Sequence, residues 1–220
     1  MTRPPSPAGS AAPFVPPTRS VAKLAEAAAS CTGCPLYRDA IQTVFGKGSK
    51  RAAILLVGEQ PGDVEDKRGL PFVGPAGAVL WSCLEDAGVD RGDLFATNAV
   101  KHFKHELRGK RRLHKRPVTA EIEACHPWLQ AEIAAVRPDV IVALGAVAAR
   151  SLLGRTVPIA ASRQRAFEVD GIPVHVTYHP SAVLRADERA AEIRAALVED
   201  LSAARRAALG DGTESDGRKR

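Results

Sequence analysis

The hydrophobic positions of this chain alternate between two patterns. Four short, mostly apolar runs lie at 52–57 (AAILLV), 94–99 (LFATNA), 139–144 (DVIVAL) and 173–178 (PVHVTY). Runs of that length, without a regular polar alternation, are expected of strands buried on both faces of a parallel sheet. Between them lie segments of helical character: 20–30, opened by a capping Ser; 76–87, closed by Gly88; 119–136, capped by Thr119; 146–153; and a long amphipathic stretch at 187–209. Pro127 is expected to bend the third of these or to start a new turn. Strands alternating with helices predict an α/β fold, a three-layer α/β/α sandwich around a central, mainly parallel four-stranded sheet. No internal repeat is present.

Polar chemistry sits at the ends of the apolar runs. The first run stops at Gly58, and the chain continues as GEQPGDVEDKRGLPFVGPAG over 58–77. Glu59, Gln60, Asp63 and Phe72 are thereby placed on a Gly- and Pro-rich connection of about twenty residues, longer than an αβ link needs. The second run carries Asn98 near its end, and the fourth ends at His179-Pro180. In a parallel sheet Glu59, Asn98 and His179 then meet along one edge, in the crevice beyond the strands' carboxyl ends. Taken singly, Phe72 reads as a core aromatic and Asn98 as a turn cap; the convergence argues for a site.

Charge sharpens this picture. The chain has 220 residues, 31 Lys and Arg against 25 Asp and Glu, and a net charge of +6. Residues 101–116 alone hold eight Lys/Arg and one Glu, interleaved with Phe103, Leu107 and His114. A basic block of that kind on a loop is the footprint of a nucleic-acid binder. The length fits one domain, expected at 20–209, between a Pro-, Ser- and Ala-rich disordered arm (1–19) and a polar tail (210–220). With no membrane-length apolar stretch and no secretory core, the expected compartment is the cytoplasm, without membrane attachment. Nothing marks an oligomerisation seam, so a monomer is the default. Four cysteines, two of them as Cys31-x-x-Cys34, point to a metal or redox site rather than a disulfide framework.

The blocks GEQPG (58–62) and GLPFVGPAG (69–77) resemble the first motif of the family 4 uracil-DNA glycosylases. HPSAVLR (179–185) resembles their second motif, and TNAVKHF (97–103) their asparagine-bearing strand end. The resemblance extends from about residue 30 to about 201, with the motifs in the family's order. One further segment, GKRRLH at 109–114, is similar to an insertion of the UdgX subgroup, whose members become covalently bound to uracil-containing DNA.

The resemblance implies a set of roles. Phe72 stacks on the uracil, Asn98 reads its Watson–Crick edge, and His179 donates toward the oxygen where negative charge develops. Gly58 belongs to the same motif, and Gln60 and Asp63 orient Glu59 or the loop. In family 4 enzymes the carboxylate at the Glu59 position serves the sugar side, where water attacks C1′. The UdgX-like insertion puts His114 there as nucleophile, with neighbouring cations keeping its imidazole neutral. Glu59 is then expected to steady the sugar cation and to take the second ring proton, directly or through water. Lys110, Arg111, Arg112 and Arg185 are expected on phosphates.

A [4Fe–4S] cluster is implied on Cys31, Cys34, His102 and Cys125, where His102 replaces one of the family's four cysteines; zinc is the alternative for three Cys and one His. Cys83 reads as a small core hydrophobe. The expected function is a single-turnover uracil-DNA glycosylase acting on DNA, single-stranded by preference. A conventional multiple-turnover glycosylase and a metal-stabilised DNA-binding module without catalysis are the two alternatives.

Overall fold

The computed structural model describes residues 9–210. In chain order the elements are Val21–Ala28 (α1), Lys47–Gly48 (β1), Ile54–Gly58 (β2), Asp63–Arg68 (α2), Pro75–Asp86 (α3), Leu94–Asn98 (β3), His105–Arg108 (β4) and Arg111–His114 (β5). There follow Thr119–Val136 (α4), Val140–Leu144 (β6), Ala146–Leu153 (α5), Ile159–Ser162 (α6), Phe167–Val169 (β7), Ile172–Thr177 (β8), Ser181–Leu184 (α7) and Ala190–Ala208 (α8). The main sheet is ordered β1-β3-β2-β6-β8-β7, and its inner four strands are mutually parallel. These are the four strands expected from the apolar runs. The short edge strands β1 and β7 pair antiparallel to them and carry too few apolar residues to show a pattern.

Every residue of β2, β3 and β6 is buried, because helices cover both faces of the sheet. The pleat divides each strand between two cores. Leu55, Val57, Ile141 and Ala143 pack with α1, α4 and α5, whereas Ile54, Leu56, Val140 and Val142 pack with α3 and α8. α4 is a single helix with Pro127 inside it, so the expected interruption does not end the helix. The chain leaves β2 for β3 on one side and later returns to β6 on the other. This makes the crevice at the carboxyl ends of β2 and β6 a topological switch point.

Three expectations change. Residues 9–19 are not a disordered arm: Ala12–Phe14 form a 3-10 turn, Ala11 is buried, and its N–H donates to the Ala124 carbonyl at 2.7 Å. Residues 1–8 and 211–220, the rest of the expected arm and most of the tail, lie outside the described residues. The connection over 58–77 contains helix α2, closed by Gly69 with φ 69°. The basic segment is a two-stranded hairpin, β4–β5, in the register His105↔His114 and Leu107↔Arg112. Its strands are short and mostly exposed, with no alternation of buried and exposed positions, so only the pairing identifies it.

Candidate active site

A cavity of about 650 Å³ opens at the switch point, lined among others by Glu59, Gln60, Asp63, Phe72, Asn98, His114, His179 and Arg185. The structure thus gathers residues from five separate segments. Close packing holds them. A Cβ at Gly58 would lie 2.3 Å from Asn98 Oδ1 and 2.7 Å from Phe72 Cζ, so the last residue of β2 must be glycine for both side chains to cover it. Phe72 adopts φ 53°, a costly conformation for a bulky residue, and its carbonyl is fixed by the Trp81 indole N–H at 2.9 Å.

The acidic cluster after β2 is divided between two tasks. Glu65 accepts from the N–H groups of Gly62 (3.1 Å) and Gly74 (2.7 Å), stapling both ends of the motif loop. Asp63 and Asp66 hold Arg112, through Nε at 2.7 Å and Nη1 at 2.5 Å. Lys67 first, and then Arg112, keep the Asp63 carboxyl below its ordinary range. Arg112 therefore clamps the hairpin to α2 instead of standing free for phosphate. Gln60 clamps the hairpin's base: its amide donates to the Lys104 and Lys115 carbonyls (3.2 and 3.0 Å) and accepts from the Lys104 N–H (3.1 Å). Of the two roles expected for Gln60 and Asp63, these contacts serve the loop. Lys110 and Arg111 lie exposed at the hairpin turn, and Arg185 is exposed with Nη1 on Ser181 Oγ at 2.9 Å. Lys101 does not belong to the exposed basic block; it is buried.

The clamps present His114 to the cavity. Its Nε2 lies 3.5 Å from Glu59 Oε1, a buried oxygen with no hydrogen-bond partner. Phe103 packs beside the His114 ring at 6.1 Å and stacks on His105 at 5.0 Å. Burial pushes the His114 pKa down, helped by Arg185, so the cations that matter are not those of its own strand. Burial likewise raises the Glu59 carboxyl, against Arg116 and Arg185.

His179 is more tightly set. Its Nδ1 lies 2.7 Å from Ser181 Oγ and accepts from the Ser181 N–H at 3.2 Å. A backbone N–H can only donate, so the neutral ring carries its proton on Nε2. Burial, then Arg185, lowers its pKa to about 4, so the ring stays neutral near pH 7. Gly145, at φ 88°, leaves room for His179: a Cβ there would sit 2.9 Å from the histidine's own. Ser181 escaped sequence reading; the His-Pro-Ser spacing was the available signal.

The cysteines lie in a different corner, beside α4. Cys31, Cys34 and Cys125 are buried in one core cluster, and burial raises Cys125 to about 12, with the other two thiols adding to it. Trp128 Nε1 donates to Cys31 Sγ at 3.2 Å and the Lys101 N–H to Cys125 Sγ at 3.3 Å. Thr43 Oγ1 gives its proton to the Ala28 carbonyl (2.9 Å), so His102 Nε2 must be the donor in its 3.0 Å contact with that hydroxyl. His102 Nδ1 is then a lone pair, buried and without a partner. Soft sulfurs with N–H donors and one free imidazole nitrogen fit a metal or cluster by chemistry. Among the described residues, however, no three Cys, His, Asp or Glu side chains are grouped as a metal centre. Cys83 lies in the other core, among Leu80, Leu84 and Leu197.

The model of the uracil DNA glycosylase superfamily matches residues 45–202, more than half of the chain. The chain belongs to that superfamily. It is similar to the type-4 uracil-DNA glycosylase of Thermotoga maritima, 37% identical over 184 residues that cover 83% of this chain and 91% of the relative. The type-4 uracil-DNA glycosylase of Pyrobaculum aerophilum is 36% identical, covering 74% and 84%. That of Archaeoglobus fulgidus is 35% identical, covering 70% and 78%. The parallel sheet and its helices agree with the superfamily's three-layer fold. No helix among the described residues is long and apolar enough to cross a membrane.

Proposed function

We propose that this chain excises uracil from DNA and stays covalently attached to the product through His114. The observation that carries the second half is the placement of His114 Nε2, 3.5 Å from Glu59 Oε1, in the cavity that also holds Phe72, Asn98 and His179. Type-4 relatives spanning most of the chain support the first half.

A base inside a duplex is out of reach, so the nucleotide is flipped or taken from a single strand, which is the preferred substrate. Phe72 stacks on the uracil and Asn98 pairs with its polar edge. The C1′–N1 bond breaks with its electron pair going to the base, and the His179 Nε2–H stabilises the developing uracil anion. Positive charge grows on the sugar beside the Glu59 carboxylate. The Nε2 lone pair of neutral His114 then forms a bond to C1′. An imidazolium on that carbon would be a good leaving group, so a durable adduct requires loss of the Nδ1 proton. Since Nε2 is the nitrogen turned to Glu59, direct transfer from Nδ1 to that carboxylate is not what the geometry favours. The proton leaves toward water on the half-exposed side of the ring, and Glu59 acts on the sugar.

Arg185, Lys110 and Arg111 are assigned to phosphates, the protein to a monomer, and its workplace to the cytoplasm. Cys31, Cys34, Cys125 and His102 Nδ1 would hold a [4Fe–4S] cluster, zinc being the alternative. Such a group would pin the N-terminal segment, α4 and the turn after β3. Iron, sulfide and zinc analysis of purified protein decides between them.

The type-4 relatives favour a second reading, a conventional multiple-turnover glycosylase in which water attacks C1′. One experiment separates the two. The protein and its His114→Ala variant are incubated with uracil-containing single-stranded DNA and run on a denaturing gel. A band that survives denaturation in the parent and is lost in the variant establishes capture by His114. Free abasic DNA without such a band establishes turnover. A parent that releases no uracil is a DNA-binding module.

A further inference from the structure

Lys101 is buried to 1% exposure and takes no part in the chemistry above. Its ammonium donates to Glu132 Oε2 (2.6 Å), Thr97 Oγ1 (2.8 Å) and the main-chain carbonyl of Asn98 (2.6 Å). Glu132 is equally buried and accepts from Gly46 N–H at 2.9 Å, so the pair is satisfied on both sides. The turn it organises is stitched to the catalytic strand, with Ala99 N–H on the Gly58 carbonyl (2.9 Å) and Val100 N–H on that of Glu59 (3.0 Å). At its far end the Lys101 N–H meets Cys125 Sγ.

A buried ion pair is a poor way to gain stability, since apolar residues of similar size commonly serve as well or better. It is a good way to fix a carbonyl. The Asn98 side chain has little freedom, its Oδ1 lying over Gly58 beside the Phe72 ring. A rotation of its peptide plane would move the amide off the base edge. We infer that Lys101 is a positioning residue for base recognition: anchored by Glu132, its ammonium holds the Asn98 carbonyl so that the Asn98 amide meets uracil in register. This rests on the reading of Asn98 as the residue that pairs with the base.

The test measures single-turnover uracil excision at saturating protein, the protein concentration for half-saturation, and the rate on cytosine- and thymine-containing strands. The double variant Lys101→Met, Glu132→Leu removes both charges. The expected result is a folded protein with near-parent Tm and half-saturation, but a saturated rate lower by roughly tenfold to a hundredfold and weaker preference for uracil. Asn98→Ala in that background should cost less than in the parent, because the two changes act through one contact. A folded double variant with the parent's rate and base preference overturns the inference.

If the double variant does not fold, Glu132→Gln, which keeps shape and loosens the ammonium, is read well below its Tm. A lower saturated rate with weaker base preference supports the inference, and a lower Tm alone overturns it. Asn98→Ala in the parent guards the premise: unchanged excision and preference there would refute the role of Asn98 itself.

Discussion

The two histidines of the cavity are mounted in opposite ways. His179 follows a central strand, is fixed at Nδ1 by Ser181, and has its pKa lowered to about 4. His114 ends a peripheral hairpin, its side chain is 49% exposed, and its Nε2 lies 3.5 Å from the Glu59 carboxylate. A donor that must meet developing charge gains from being fixed in advance, because reorganisation would consume the stabilisation. A nucleophile must travel to a carbon as it opens, and a clamped but half-exposed hairpin allows that. The difference teaches that one ring is fixed by the fold's own strand end, whereas the other is carried by a hairpin held through side-chain clamps; under the proposed function, excision and capture would be divided between them.

The comparison breaks most sharply at the two rings. His114→Ala should abolish the denaturation-resistant adduct while uracil release continues, whereas His179→Ala should slow release itself by roughly 10²- to 10³-fold. Quantifying free uracil and cross-linked DNA in the same reaction checks both. Loss of release in His114→Ala would mean that the two functions are not separable.

The hairpin clamp comes next. Arg112→Ala frees β5 from Asp63 and Asp66 and should lower the capture rate by about tenfold or more, with a smaller effect on excision. Equal losses in both would make the hairpin part of the excision site.

Acidification should separate the rings without mutation. A protonated imidazole has no lone pair, and the His114 pKa lies below the ordinary 6.5, so capture holds near pH 7 and falls as pH drops through that lowered value. The raised Glu59 carboxyl loses its charge in the same direction. His179 stays neutral until about pH 4, so a fall in release above that pH belongs to Glu59, and a fall in the ratio of adduct to released uracil isolates the share of His114. The His179 ring also bears on stability. Its folded pKa is below the unfolded value, so the unfolded chain binds the extra proton first, and stability falls as pH drops from 6.5 toward about 4. Tm against pH, compared with a His179→Asn variant, reads that slope.

The smallest effect belongs to the exposed turn. Lys110→Ala and Arg111→Ala should each weaken DNA binding uniformly across sequences and reduce the salt-dependence slope by about one. An unchanged slope would remove that turn from the phosphate path.

Much of this was legible in the sequence for a physical reason. Burial on both faces forces apolar runs, so the four parallel strands could be read directly, and strand ends are where polar residues can face a crevice. Glu59, Asn98 and His179 were therefore visible before any contact was known, and Phe72 through the resemblance of its motif. Partnership was not visible. Arg112 reads as one more cation in a basic block until Asp63 and Asp66 are seen to hold it. Lys101 reads the same way, though it is in the core. Gln60 gives no hint that its partners are main-chain groups more than forty residues away.

The sequence by itself determined the parallel sheet, the edge on which the site forms and the residue types it offers, because those follow from local period and from the chemistry of each side chain. Tertiary structure alone decided which charges are spent on each other, which imidazole nitrogen carries a proton, and that the basic segment is a hairpin bringing His114 to Glu59. Those depend on distances between segments remote in the chain, and a local pattern carries no record of them.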